Sequence, residues 1–393
     1  MRYDANGWPM IPHRKFTFDF WALTLVFAAL PLRFALAVRT CLSPDEAYYL
    51  AAHRLGFTIT DHPPLTTWLV GLADNLDFLS LELRIRLPAL VVGTFIPLLL
   101  LWISKTLHDQ PSHQRWTALL GAFLPLPLAG GFLITPDTPL LLAVAVLLVI
   151  HHQTPSWKKN VGLIFACAWG LAAKVSMLVP GLLLLFLSPH RSERLAVAMG
   201  MAIALPIALP SLGFQWHHAF VDQSSAVGTL TASAAALGAQ LLLWTPAVLW
   251  FGFREAWPRP FERGLMLSMS VLLLASALLR QVPPEPNWFA VAALFCIPFA
   301  AGPLARGARW VQATTLLLGP AAALLFASHV LWPWLPIPTP VDPSARLHGW
   351  RDDNPVAQAP GIGVYGPAAE ACIYQKQCEK IAYIFNNYEQ FFK

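Results

Sequence analysis

The stretch Leu90-Val91-Val92-Gly93-Thr94-Phe95-Ile96-Pro97-Leu98-Leu99-Leu100-Leu101-Trp102-Ile103 decides the fold class. It contains no charge, and with the comparable runs at 139–150 and 177–187 it reads as helix crossing a lipid bilayer. The rest of the chain agrees. Of its 393 residues 56% are hydrophobic and 12% charged, against about 25% charged in an ordinary soluble domain. So few charges cannot cover a surface that faces water. The reading is an all-α polytopic membrane bundle.

Working outward, apolar stretches bounded by Pro, Gly and charge predict about eleven transmembrane spans. They lie near 17–38, 87–104, 116–134, 138–151, 161–174, 176–188, 195–212, 236–252, 264–280, 288–304 and 310–334. The pair at 161–188 also reads as a tight hairpin. The net charge of +5 is scattered through short loops rather than gathered in a patch, so it speaks to membrane orientation and predicts no nucleic-acid partner. With the N-terminus inside, the inner segments hold Arg2, Arg14, Lys15, Lys105, Arg115, Lys158, Lys159, Arg191, Arg194, Arg254, Arg259, Arg263, Arg306 and Arg309, which is 14 of the 26 basic residues. That alternation puts the C-terminal tail outside.

Two segments interrupt the apolar rhythm. The first outer loop, 39–86, is too long for a plain connection, and its apolar content predicts short helices on the membrane surface. The chain therefore divides into a transmembrane module, 1–334, and a polar tail, 335–393, too small for a core of its own. Of the five Cys, only Cys372 and Cys378 lie close together, and their pairing requires an oxidising compartment.

The chemistry-bearing residues gather at the outer boundary. In Ser43-Pro44-Asp45-Glu46-Ala47-Tyr48-Tyr49, Ser43 and Glu46 form a capping box with Pro44 at the first helical position. Capping does not require Asp45, nor Tyr48 and Tyr49, which share its helical face; spacing alone leaves cap and chemistry both open. Glu46→Gln, preserving a capping residue, is expected to be milder than Asp45→Asn. Asp61-His62-Pro63-Pro64 is a rigid turn, an anion site or a metal site. Asp137, in Thr135-Pro136-Asp137-Thr138-Pro139, reads as an N-cap or as an acid used at the membrane boundary. Lys174 and Arg280 read as snorkelling cations or as part of an anion pocket. His217 and His218 open an outer loop, where solvated imidazoles are the plain reading.

Taken together, these motifs resemble the lipid-linked-sugar glycosyltransferases of the membrane-embedded GT-C class, near the ArnT aminoarabinose transferases and the protein mannosyltransferases. Asp45-Glu46-Ala47-Tyr48-Tyr49 is similar to the family's acidic first-loop motif. Asp61-His62-Pro63-Pro64-Leu65 is similar to its acid-Lys-Pro-Pro-Leu motif, and Thr135-Pro136-Asp137 to its second-acid turn. Gly170–Lys174, Pro210–Gln223 and Pro286-Asn287-Trp288 complete the series in order. Two departures stand out: His62 occupies the usual Lys position, and the tail is much shorter.

The resemblance implies transfer of a sugar, with inversion, from a polyprenyl-phosphate donor to an envelope acceptor: a glycolipid such as lipid A, an oligosaccharide or a protein. It implies a multi-pass protein of the bacterial inner membrane with its active site on the periplasmic face. Asp45, Asp137 and Glu46 would then be the catalytic acids, with Asp45 as base or acceptor-positioning group. Lys174, Arg280 and His62 would hold the donor phosphate, and Tyr48, Tyr49, Asp61 and His218 would contact substrate. Some relatives bind a divalent metal, for which Asp61 with His217 or His218 is the set available here. The rivals are a sugar-polymer ligase using the same donor and a multispanning lipid or sugar transporter or flippase. The transporter would be expected to show inverted repeats or midplane charges.

Overall fold

A computed structural model describes residues 17–107, 110–220, 229–279, 286–339, 342–349, 365–379 and 381–382. The elements are α1 (Phe20–Arg39), α2 (Pro44–Leu55), α3 (Leu65–Asp74), α4 (Leu81–Leu107), α5 (Pro111–Phe123), α6 (Pro125–Gly130), α7 (Asp137–His151), α8 (Trp157–Ala173) and α9 (Leu178–Leu187). They continue with α10 (Arg191–Phe220), α11 (Thr229–Trp244), α12 (Pro246–Ala256), α13 (Pro260–Leu279), α14 (Ala290–Arg306), α15 (Arg309–Leu316), α16 (Ala322–Leu331) and, in the tail, α17 (Tyr365–Gln375). No strand occurs among the described residues. Five helices there are long and apolar enough to cross a bilayer unaided: Phe20–Arg39, Leu81–Leu107, Arg191–Gln215, Asn287–Arg306 and Arg309–Leu331.

Local chemistry explains where helices begin and break. Asp19 caps α1 by accepting from the Ala22 N–H at 3.0 Å. Ser43 and Glu46 form the predicted capping box of α2, which ends on Gly56 at φ 72°. The expected span 116–134 is two helices, because Leu124 turns extended before Pro125 and separates α5 from α6. The expected span 236–252 is broken as well. Thr245, at φ 62°, ends α11 and caps α12 through its side chain, a strained conformation for a β-branched residue. Between the expected spans 161–174 and 176–188 the chain makes a short turn at Val175–Met177, and α8 and α9 each pack on α10.

Every residue of α14 from Ala290 to Leu304 is buried, and this small-residue helix packs against α12, α5 and α4 at the centre of the bundle. Arg33 of α1, fully buried, donates to the carbonyls of Gly93, Ala122 and Pro127, and so satisfies backbone acceptors around the α5–α6 break. Close approach is enforced beside it. A Cβ on Gly93 would come within 2.3 Å of the Gly131 Cα. At the opposite end of the bundle, the buried pair Lys159–Glu193, at 2.7 Å, joins the starts of α8 and α10.

The first loop is organised by a second fully buried arginine. Arg86 Nε and Nη2 donate to both carboxylate oxygens of Glu46 at 2.8–3.1 Å. Its Nη1 reaches the Ala37 and Thr40 carbonyls and the Thr40 hydroxyl, and Nη2 also reaches the Cys41 carbonyl. Glu46 in turn accepts the Ser43 N–H at 2.8 Å and the Ile134 N–H at 3.1 Å. One ion pair thus fastens the end of α1, the start of α2, the beginning of α4 and the segment leading to α7.

The tail docks on the same loop. α17 packs along α2, with Ala368, Ala369 and Cys372 in one apolar cluster with Ala47, Tyr48 and Leu50. Tyr374 donates to Glu82 at 3.0 Å and accepts the Leu42 N–H at 2.8 Å. Cys372 and Cys378 form a disulfide. A tail too small for its own core borrows one from the first loop.

These contacts correct the reading of Glu46. It is 0% exposed with both oxygens engaged, and belongs to the scaffold rather than to the reacting groups. Its amide variant is consequently not a mild control. Glu46→Gln leaves Arg86 charged and buried without a counter-ion, and should cost about 3–5 kcal/mol of stability. The check is the unfolding midpoint in detergent; a variant as stable as wild type would refute the assignment.

Candidate active site

Three of the sequence motifs meet at the start of α7. Asp137 is the first helical residue, and its carboxylate caps nothing. Instead it accepts both of its bonds to Lys174 Nζ at 3.0 Å, and a further one from Asn287 Nδ2. Lys174 is delivered by the extended residue that ends α8, and Asn287 by the short turn before α14. Asp137 and Lys174 are each 8% exposed. A bidentate ion pair this well shielded is held together by charge-assisted hydrogen bonds. The two residues expected to play separate roles, acid and phosphate ligand, are partners here.

A second set of motifs adjoins the first. Gln215, near the end of α10, donates to the Asp61 carbonyl at 2.8 Å and lies 3.3 Å from His62 Nδ1. With the amide donating, Nδ1 accepts and the imidazole proton sits on Nε2. Burial, aided by the Lys174 charge nearby, pushes the His62 imidazole down to about 3. His62 is therefore neutral at physiological pH, and offers an N–H rather than a charge. The Asp61 carboxylate accepts its neighbour's backbone N–H at 3.0 Å and the Tyr48 hydroxyl at 3.4 Å.

Tyr48 connects this region to Asp45, which stands one turn earlier on the same face of α2 and is half-buried. The tyrosines themselves are 1% and 3% exposed. Tyr48 holds Asp61, and Tyr49 is a core residue, so neither is a substrate contact as the sequence led one to expect. Arg280 lies outside the described residues. His217 and His218 fall on α10, with side chains outside what is described. Among the described residues no three His, Cys, Asp or Glu side chains are grouped to hold a metal ion.

Below Asp137 and Asn287 the bundle encloses a cavity of about 280 Å³ with largely apolar walls, including Ile96, Leu133, Trp244 and Leu294. Motif reading left three site contributors without roles: Gln215, Asn287 and Arg86. Gln215 and Asn287 lie inside recognised motifs but carry no charge to single them out. Arg86 had a usable signal, being a cation at the membrane boundary with no acid adjacent in sequence.

Residues 61–214 match the sequence family described as dolichyl-phosphate-mannose-protein mannosyltransferase. The chain matches none of the curated proteins. Among solved structures it is similar to ArnT from Cupriavidus metallidurans in the apo state. That match has a TM-score of 0.57 and 17% identity, and spans 95% of this chain and 75% of that one. The same enzyme bound to undecaprenyl phosphate matches with a TM-score of 0.57 and 16% identity, over 96% and 76% of the two chains. The chain is thus a multi-pass membrane protein with the ArnT-type GT-C fold.

Proposed function

We propose that this protein is an inverting glycosyltransferase that moves a sugar from a polyprenyl-phosphate donor to an envelope acceptor. The observation that carries the reading is the convergence of Asp137, Lys174 and Asn287 with the Asp61–His62 turn beside an apolar cavity. A lipid-phosphate sugar needs an apolar wall for its chain and donors for its phosphate, and this end of the bundle supplies both kinds of group. The similar ArnT structure with undecaprenyl phosphate supports the donor class.

In the reaction the acceptor oxygen attacks the anomeric carbon and the bond from that carbon to the phosphate oxygen breaks. Polyprenyl phosphate departs with the electron pair. Asp45 takes the proton of an acceptor hydroxyl; for a phosphate acceptor, already ionised, it positions the group instead. Lys174 meets the charge that grows on the leaving phosphate, steadied by Asp137 and Asn287. His62 contributes its Nε2–H as a neutral donor, and Arg280 would add a second cation. A divalent metal would call on Asp61 with His217 or His218, and no step here depends on one.

The membrane sidedness follows from the basic-loop alternation: the site and tail face the periplasm of a bacterial inner membrane. A reporter fused after Lys393 is expected to be active only when exported, and cytoplasmic activity would invert the topology and remove the site from its donor.

Activity is tested by incubating the detergent-solubilised protein with polyprenyl-phosphate sugars and measuring polyprenyl phosphate release. Saturable binding without release would favour a transporter. Comparing envelope glycolipids and glycoproteins by mass spectrometry after gene deletion identifies the acceptor.

Within that assay Asp45→Asn should lower turnover by about 10²–10⁴-fold while leaving donor binding near wild type. A fully active variant would sink the mechanism. Lys174→Gln should instead weaken donor binding by about 10–100-fold, the loss of one charged hydrogen bond. Unchanged donor affinity with poorer acceptor use would move Lys174 to the acceptor side.

A further inference from the structure

The tail carries a deeply buried acid that nothing above uses. Glu370, on α17, is 2% exposed, and its Oε1 has no hydrogen-bond partner among the described residues. A buried carboxyl oxygen left unsatisfied costs stability and calls for an explanation. Its surroundings are specific. α17 packs on α2 so closely that a Cβ on Gly366 would stand 2.6 Å from the Pro44 Cβ, immediately before Asp45.

The charged groups facing Glu370 are Asp45 and Glu46 from α2 and Arg346 from the short turn Pro343–Leu347. Glu46 is already matched by Arg86 of α4. Arg346 is exposed to solvent, which weakens its pull. Burial first, and then the two neighbouring acids, push the Glu370 carboxyl up to about 9 against the opposing effect of Arg346.

We propose that Glu370 is a positioning residue of the transfer reaction: the disulfide-closed tail helix delivers its carboxyl beside Asp45, where it controls the charge and proton affinity of Asp45. The proposal rests on the glycosyltransferase reading. At neutral pH Glu370 keeps its proton, so Asp45 carries its negative charge without a second ionised acid from the tail. Glu370 neither gains nor loses a proton as the sugar moves; the acceptor proton goes to Asp45. When Glu370 ionises, a second like charge stands next to Asp45, where an anionic lipid phosphate must approach. The same linkage makes Glu370 a stability cost. The unfolded carboxyl ionises near 4.5 and the folded one near 9, so the folded state is penalised increasingly as pH rises from the first value to the second.

The experiment measures kcat and donor KM from pH 6 to 10 for wild type, Glu370→Gln and Glu370→Ala, alongside detergent unfolding midpoints. The wild-type donor KM should rise about tenfold on passing pH 9, the effect of one added charge at moderate distance. The rise should vanish in both variants. Both variants should unfold at or above the wild-type temperature at pH 7.

In the infrared, wild type should show a protonated-carboxyl band that titrates near pH 9 and is missing from Glu370→Gln. If Glu370→Ala fails to fold, the Gln profile and the infrared band still decide. A flat wild-type profile, an alkaline rise that persists in Glu370→Gln, or no lost infrared band overturns the proposal alone. No turnover by wild type at any pH overturns the transferase reading and this proposal with it.

Discussion

A buried positive charge has few ways to be stable, and the Arg86 guanidinium has found one that organises an entire end of the molecule. With 0% exposure it must meet acceptors from every direction, and it does so with one carboxylate and the loose carbonyls at the end of α1. The Glu46 carboxylate closes the arrangement by accepting the Ile134 N–H. Asp45 is the residue before Glu46, and Asp137 comes three residues after Ile134. The acids of the proposed mechanism are thereby set on either side of one ion pair that has no chemical part to play.

Charge is used sparingly at the site itself. Lys174 is balanced by Asp137, and His62 is held neutral. The pair of prolines after His62 and the Gln215 amide fix the imidazole by geometry instead of by charge. Where the resembling family carries a lysine, this chain carries a neutral donor, so in the proposed mechanism the leaving phosphate is met by Lys174 and, in the same proposal, by Arg280. The short tail follows the same economy. It makes no domain, yet it covers the first loop with one disulfide-closed helix and reaches α2 just beside Asp45.

Much of this was legible along the chain. Long charge-free runs demand a helical membrane bundle, because lipid satisfies no backbone polar group. The Ser43–Glu46 capping box is written in four consecutive residues and forms as read. Asp137, Lys174 and the Asp61–His62 turn were recognisable because ionisable residues at a membrane boundary are costly unless they are used. The breaks at Leu124 and Thr245 were less so, since mean hydropathy runs straight through a proline in an apolar segment.

Hydropathy, capping and boundary charge are local properties, and they suffice for the class of fold, for the clustering of acids at one boundary and for the residues worth suspecting. Which of those residues pair depends on how the helices pack. Glu46 and Arg86 are 40 positions apart, Asp137 and Lys174 are 37, and Asn287 reaches Asp137 across 150. In a linear reading Glu46 is a cap and a candidate acid, and Lys174 is a lone cation. Once the helices pack, each buried charge must find its counter-ion within hydrogen-bonding distance. That requirement, which no local pattern encodes, assigns Glu46 to the scaffold and binds Lys174 to Asp137.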